Sequence, residues 1–227
     1  MQLQTTENME TTSLRTQSDV QTKISKKVYI KVKRVIDVIL ASIALILLSP
    51  LFAIIAIAIK IDSKGPVFFE HKRIGKNGKI IKLYKFRSMV INAEELIKSF
   101  TPEQMKEYKA NYKLTNDPRI TKVGKFLRKT SLDELPQLIN IINGDLSIIG
   151  PRPVVADELE KYGVNKDKFL SVTPGLTGYW AANGRSNTTY EQRMEMELYY
   201  IDNLSLKMDI KVFFKTILSV VKKEGAR

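Results

Sequence analysis

Residues Val38 to Ile59 are 22 consecutive positions without a formal charge. A helix rises about 1.5 Å per residue, so a stretch of this length can cross a bilayer core of roughly 30 Å. A soluble helix is rarely apolar on every side at this length, which makes a simple membrane span the plainest reading. Two features argue for a bent segment instead. Ser49-Pro50 sits mid-stretch, and proline removes a backbone donor and crowds the preceding turn. Both flanks are also basic. Arg15, Lys23, Lys26, Lys27, Lys31, Lys33 and Arg34 stand against three acids in residues 1–34, and 29 basic against 20 acidic residues follow from Asp62. Lys and Arg accumulate on the cytoplasmic side of membrane segments. A single span would put one basic flank outside, whereas a helix that enters, bends at Pro50 and returns keeps both inside. Asp37, one turn from Arg34, is expected to pair with it at the interface.

The chain carries 37 Lys and Arg against 24 Asp and Glu, a net charge of +13, which implies an anionic partner: phospholipid, phosphorylated substrate or nucleic acid. It contains no cysteine and one histidine, His71. Disulfides, thiolate catalysis, Cys-based zinc sites and His-rich metal sites are therefore excluded. A hard cation on oxygen ligands remains allowed. The polar stretch 1–24 is not a secretory signal and reads as a disordered tail. The expected organisation is this tail, a re-entrant helix over 25–61, and a domain over 62–227.

Within that domain the fold is expected to be α+β and mostly helical. Val67–Phe69 and Lys79–Phe86 read as strands of a hairpin turning at Gly75-Lys76-Asn77-Gly78. Asn92–Tyr112 reads as helix broken at Thr101-Pro102. Lys122–Lys129 and Glu134–Asn143 read as helices, the second ended by Gly144. Residues 144–153 and 173–187 read as loops. Helices over about 189–203 and 206–223 close the chain. The last alternates Ile210, Phe213, Phe214, Ile217 and Leu218 with lysines, a pattern that suits either a membrane surface or a packed core.

The stretch from 115 to 153 is densest in chemistry. Ser131-Leu132-Asp133-Glu134 has the plain reading of a helix start, with Ser131 capping and Glu134 reaching back. The same geometry would keep Asp133 ionised and hold a phosphate nearby. An ionised carboxylate can attack phosphorus, and a neighbouring one can hold Mg2+. Arg119, Arg128 and Arg152 flank the pair in sequence. A single arginine is usually a surface residue, but the guanidinium fork suits phosphate and three of them shift the balance. Trp180 and Tyr179 suit stacking on uracil or sugar and suit the membrane interface equally. His71 reads as structural.

These motifs together resemble the bacterial sugar transferase family, the monotopic polyprenyl-phosphate phosphoglycosyl transferases. The likeness covers about residues 33 to 225. It includes Lys33-Arg34, Asp37, Ser49-Pro50, IKIDSKGPVFFEHKRIG, KFRSM from Lys85 to Met89, NDPRIT, LRKTSLDELPQL, NGDLSIIGPRP, and TPGLTGY followed by Asn183-Gly184-Arg185. The resemblance implies that Asp133 is the nucleophile toward the β-phosphorus of a UDP-sugar and that Glu134 contacts Mg2+. It implies phosphate-binding roles for Arg128 and Arg152, with Arg119, Arg185, Lys85 and Arg87 as further candidates from the shared motifs. It also implies polyprenyl phosphate as acceptor, UMP as leaving group, amphipathic interfacial helices, and a place on the cytoplasmic face of a bacterial cell membrane. Downstream glycosyltransferases and a second copy of the chain are conceivable partners. The sequence departs from the family pattern at His71 and at Ala181, where many members carry Gln. The Ala181 change leaves the sugar identity open. Rival readings are a tethered nucleic-acid binder, disfavoured because the basic residues are spread along the chain, and an inactive scaffold of a glycan assembly complex. A one-step transferase, with Asp133 as base or metal ligand only, is a third.

Overall fold

The computed structural model describes residues 26–111, 114–184 and 188–221. The expected tail over 1–24 and Arg185 lie outside the described residues. The apolar stretch forms two helices, α1 (Lys26–Leu47) and α2 (Ser49–Asp62), bent by 60° at Leu48. Among the described residues no single helix is long and apolar enough to cross a membrane; the bent pair meets that test together. The Ser-Pro sequence accounts for the bend. Pro50 has no N–H to give the carbonyl of Ile46, one turn back, and the Ser49 hydroxyl donates to that carbonyl instead at 2.8 Å. Ladder bonds resume on either side, from Leu48 N–H to Ala44 and from Phe52 N–H to Leu48.

Strands β1 (Phe68–Ile74) and β2 (Ile80–Phe86) form an antiparallel hairpin with Phe68 opposite Phe86 and Ile74 opposite Ile80. The turn is where the sequence puts it, with Asn77 and Gly78 both at positive φ. The first strand runs five residues beyond its expected end at Phe69. Its second half, Glu-His-Lys-Arg-Ile, lacks the apolar alternation that marks strands.

Helices α3 (Ala93–Leu96) and α4 (Pro102–Asn111) follow. The break between them is closed by a reciprocal cap: Gln104 N–H donates to Thr101 Oγ1, and Thr101 N–H to Gln104 Oε1. Then come α5 (Lys122–Thr130) and α6 (Gln137–Asn143), which ends at Gly144 with φ +87. Strand β3 (Ser147–Ile149) pairs in parallel with β4 (Gly175–Thr177), so the two stretches expected to be loops form a second small sheet. Main chain meets main chain there: a Cβ on Gly175 would lie 2.1 Å from the Gly150 nitrogen, so no side chain fits. Short helices α7 (Ala156–Glu160), α8 (Lys166–Leu170) and α9 (Tyr179–Asn183) lead to α10 (Tyr190–Asp202) and α11 (Leu206–Val221). The fold is α+β and mostly helical, as expected.

The apolar helices share the core of the rest of the chain. Ala41 of α1 packs with Ile81, Leu83, Leu138, Ile141 and Leu146. Ile55 and Ile59 of α2 pack with Phe86 and Leu127. Ile149, Val154, Tyr162, Phe169, Tyr200, Ile201 and Val212 form the remaining cluster. Arg34 and Asp37 do not pair with each other as expected. Arg34 donates to the carbonyls of Ile141 and, at 2.7 Å, of Ile142, at the C-terminal end of α6, where unpaired carbonyls attract a cation. Asp37 Oδ1 accepts from the Ile148 N–H at 3.1 Å. Nearer the start of α1, Tyr29 and Lys33 both donate to Asp209 of α11, whose other oxygen accepts from Tyr200 at 2.6 Å. Helix α11 packs one face into the core, where Val212 is buried, and leaves Phe214 and Leu218 about 60 % exposed.

Asn140 pins α6 to the hairpin from full burial. Its oxygen accepts from Tyr84 N–H at 2.9 Å and its amide donates to the Lys82 carbonyl at 2.7 Å. Asn140→Ala strands both strand groups in the core. It is expected to cost about 2–4 kcal/mol, read as a lower melting temperature of the detergent-solubilised protein.

Candidate active site

Helix α5 ends on Ser131, whose backbone is left-handed at φ +57. A 3-10 turn, Leu132–Glu134, follows before α6 begins. The capping box expected of Ser-Leu-Asp-Glu is therefore not formed. A serine closing the preceding helix in the left-handed region makes no side-chain cap on the next one. Leu132 and Leu135 anchor the turn by packing on the Phe86 and Leu127 cluster. Asp133 and Glu134 lie between these anchors, both half-buried.

Glu134 Oε1 accepts from Lys85 Nζ of β2 at 2.7 Å. Burial raises the Asp133 carboxyl above its ordinary value; Lys85 and Arg128 pull it down and Glu134 pushes it up. A backbone hydrogen bond to Asp133 at the start of this turn also favours its charged form, alongside the two cations, and desolvation outweighs them. Arg128 is placed by the last turn of α5, its Nε donating to Ser88 Oγ at 2.9 Å. That contact depends on Gly124, where a Cβ would fall 2.0 Å from the Ser88 carbonyl oxygen.

The other candidates divide. Lys85 and Arg152 line an open cleft together with Glu134. Arg87 is 5 % exposed and turned elsewhere, donating to the carbonyls of Ser63 and Lys64 beyond α2. Arg119 is clasped by Asp117 through Nε at 2.8 Å and Nη2 at 2.6 Å, with its guanidinium over Phe100 and Tyr108. It ties the α3–α4 segment to the loop before α5.

Two ionisable lining residues were not picked out from the sequence. Arg73 of β1 brings a third cation to the cleft and donates to His71 Nε2 at 2.7 Å. That bond leaves the imidazole proton on Nδ1, and burial, with Arg73 second, lowers His71 to about 4. His71 is thus neutral at pH 7 and faces the cleft. The other is Glu197 of α10, 1 % exposed, whose Oε1 accepts from the Arg152 N–H at 3.0 Å. Burial pushes it up to about 7 against the pull of that bond and of Arg193. Its signal was in the sequence: Arg193, Glu197, Tyr200 and Ile201 share the buried stripe of α10. Trp180 also lines the cleft, with Arg193 and Arg152 guanidinium groups 4.9 and 5.8 Å from its ring centre. Ala181 lies beside it.

Among the described residues no group of three or more His, Cys, Asp or Glu could enclose a metal ion. Glu134 would be the carboxylate to meet the lighter demand of Mg2+, which takes one or two carboxylates and completes its shell with substrate phosphates and water.

The family profile described as bacterial sugar transferase matches residues 28–223. An exopolysaccharide production protein, ExoY, of Rhizobium meliloti is 47% identical over 86% of this chain and 87% of its own. An undecaprenyl-phosphate galactose phosphotransferase of Salmonella typhimurium is 42% identical over 91% of this chain and 44% of its own. A UDP-glucose:undecaprenyl-phosphate glucose-1-phosphate transferase of Escherichia coli is 41% identical over 82% and 39%. The chain thus spans less than half the length of the latter two.

An unfolded aspartate titrates near about 3.9, and Asp133 is raised in the fold, so its ionised form costs stability above the folded value. Asp133→Asn is therefore expected to melt higher than wild type at pH 7. The gap should close as pH falls toward the unfolded value; a lower melting point at pH 7 contradicts this assignment.

Proposed function

The chain belongs to the bacterial sugar transferase family, and on that footing we propose that it moves a sugar 1-phosphate from a UDP-sugar to undecaprenyl or another polyprenyl phosphate. Relatives are named for galactose and glucose phosphate transfer and for exopolysaccharide production. The observation that carries the reading is Glu134, paired with Lys85 in a cleft also lined by Arg73 and Arg152, with Asp133 next to it in the chain but outside that lining. Three cations suit a diphosphate, and a half-buried carboxylate held between Lys85 and Arg128 suits attack on phosphorus.

In the proposed sequence an Asp133 oxygen attacks the β-phosphorus and the bond to the bridging oxygen breaks. UMP leaves with that electron pair. A phosphate oxygen of the polyprenyl phosphate then attacks the same phosphorus and the bond to Asp133 breaks, giving a polyprenyl diphosphosugar and the free carboxylate. Arg73, Lys85 and Arg152 would hold the diphosphate, and Arg128 would steady the Asp133 carboxylate. Glu134 would hold Mg2+, which when bound neutralises diphosphate charge. Arg185 is a further phosphate ligand candidate in the same family motif.

For the anchor, α1 and α2 enter one leaflet, turn at Leu48–Pro50 and return. The 60° bend supports this, as do Ile46 and Leu47, more than 70 % exposed at its apex. The exposed Ile210, Phe213, Phe214, Ile217 and Leu218 of α11 supply a further apolar face for the membrane. Residues 62–227 would then lie on the cytoplasmic face of a bacterial cell membrane.

UMP release from a panel of UDP-sugars, with polyprenyl phosphate and Mg2+ present, tests the activity. Release with one donor is expected, lost by at least about a thousandfold in Asp133→Asn, as for removal of a nucleophile, and lost on chelation. A phosphosugar trapped on wild type but not on the variant distinguishes the covalent route from a single displacement. No release by folded protein with any donor would favour the scaffold reading.

The absence of native cysteine makes the anchor testable by labelling. Cysteines introduced singly as Thr12→Cys and Lys76→Cys are expected to react from the cytoplasmic side alike. Labelling of Thr12→Cys from the opposite side would refute the re-entrant path.

A further inference from the structure

Five buried side-chain polar atoms among the described residues have no hydrogen-bond partner, and four of them belong to Tyr162, Arg193 and Glu197. Arg193 and Glu197 are one turn apart on α10, and Tyr162 packs in the same cluster as Tyr200 and Ile201 of that helix. The unpartnered atoms are the Tyr162 hydroxyl, Arg193 Nε and Nη2, and Glu197 Oε2. Arg193 directs Nη1 at Glu158 instead, at 3.4 Å. Burying a carboxylate oxygen without a donor is costly, and proteins rarely tolerate it away from a ligand.

Of these three residues, Glu197 lines the cleft. One oxygen is committed to the Arg152 N–H; the other is the unpartnered one. The neighbouring cations Arg73, Lys85 and Arg152 suit phosphate, and a carboxylate repels it. What a carboxylate accepts from, in a cleft already supplied for a diphosphate, is a neutral donor attached to that diphosphate. In a nucleotide sugar the available neutral donors are chiefly hydroxyl groups.

We propose that Glu197 is a specificity-determining residue, whose second oxygen accepts a hydrogen bond from a hydroxyl group of the nucleotide sugar bound in the cleft. The hydroxyl belongs to the ribose or to the transferred hexose, and the chemistry is the same for both. The proposal rests on the donor reading given above. A site built around a hydroxyl rejects the analogue lacking it more strongly than an apolar pocket rejects a methylene, because its own polar group is left unpaired. Such a contact would make this wall, with Trp180 and Ala181, the part of the cleft that distinguishes donors.

The chain has a single tryptophan, and it lies in this cleft, so Trp180 fluorescence reports occupancy without any turnover. The full chain in detergent is titrated with UDP-glucose, UDP-galactose, UDP, inorganic diphosphate, and analogues lacking one ribose or one hexose hydroxyl. Wild type is compared with Glu197→Gln, which keeps an acceptor for the Arg152 N–H. The variant is expected to bind the preferred UDP-sugar about tenfold or more weakly, the scale of a charge-assisted hydrogen bond, and inorganic diphosphate as wild type does. One deoxygenated analogue should bind both proteins alike. If that analogue lacks a ribose hydroxyl, UDP weakens as well; if it lacks a hexose hydroxyl, UDP does not. Equal affinities for every ligand in the two proteins, or a uniform loss that includes inorganic diphosphate, would overturn the proposal and leave Glu197 a support for Arg152. Should Glu197→Gln not fold, Glu197→Asp takes its place; it keeps the charge but withdraws the oxygens, and the same selective loss is expected. A wild-type protein whose fluorescence answers to no nucleotide would sink the donor reading itself, whereas a response without coupling to Glu197 sinks this inference alone.

Discussion

An apolar helix offers a folded domain no directional contact, and α1 meets this difficulty with two charges one turn apart. Arg34 covers the last carbonyls of α6, and Asp37 takes the N–H of Ile148 in β3. From these two points the rest of the chain hangs in order. α6 carries Gln137 into the cleft and fixes β2 through Asn140; β3 holds β4, whose Gly175 and Thr177 form the opposite wall. The position of the cleft relative to the apolar segment is thus set by hydrogen bonds to main chain, which tolerate little sliding. A pair of charges that merely neutralised each other on the helix surface would leave that relation loose. A phosphate carried by a lipid in the leaflet would meet the cleft at a height these contacts determine.

The cleft itself shows how a basic chain can keep its carboxylates useful. Asp133 is desolvated, which disfavours charge, yet it lies within the fields of Lys85 and Arg128. Lys85 is shared, since it also pairs with Glu134. An incoming diphosphate would compete for Lys85, weakening its hold on both carboxylates as the substrate docks. Arg128 is free of that competition, being held by Ser88 on the far side of Gly124. The two cations are therefore not equivalent: Lys85 lines the cleft, whereas Arg128 is held by Ser88 beside Asp133.

Much of this was legible from the sequence, and the failures have physical causes. The hairpin turn, the Thr101-Pro102 break, the end of α6 and the bend at Ser49-Pro50 were marked by residues whose backbone chemistry is local. The extent of β1 was not, because Glu70, His71, Lys72 and Arg73 show no apolar alternation and are held by pairing with β2 and by side-chain contacts such as Lys82 to Glu70 and Arg73 to His71. The capping box at Ser131 failed because four residues satisfy that pattern equally well when the serine closes the helix before it. Arg87 and Arg119 sit in the right motifs, but their partners, Ser63, Lys64, Asp117 and two rings, are visible only in three dimensions. Arg73 had no local marker at all. Glu197 had one, a carboxylate on the apolar stripe of α10, which periodicity alone could have revealed.

Elsewhere the fold takes care to satisfy its polar atoms. Ser49 serves the carbonyl that Pro50 abandons, Asn140 serves two strand groups at once, and Asp209 gathers three donors from α1 and α10. Each of those solutions uses a partner within the chain, and each lies away from the cleft or behind its wall. The cluster of Tyr162, Arg193 and Glu197 departs from this habit in one small region, where Trp180, Arg152 and the cleft also meet. Arg87 Nε, the fifth such atom among the described residues, lies apart from them, and of the other four only Glu197 Oε2 belongs to a residue that lines the cleft; a neutral hydroxyl arriving there is what that acceptor can receive.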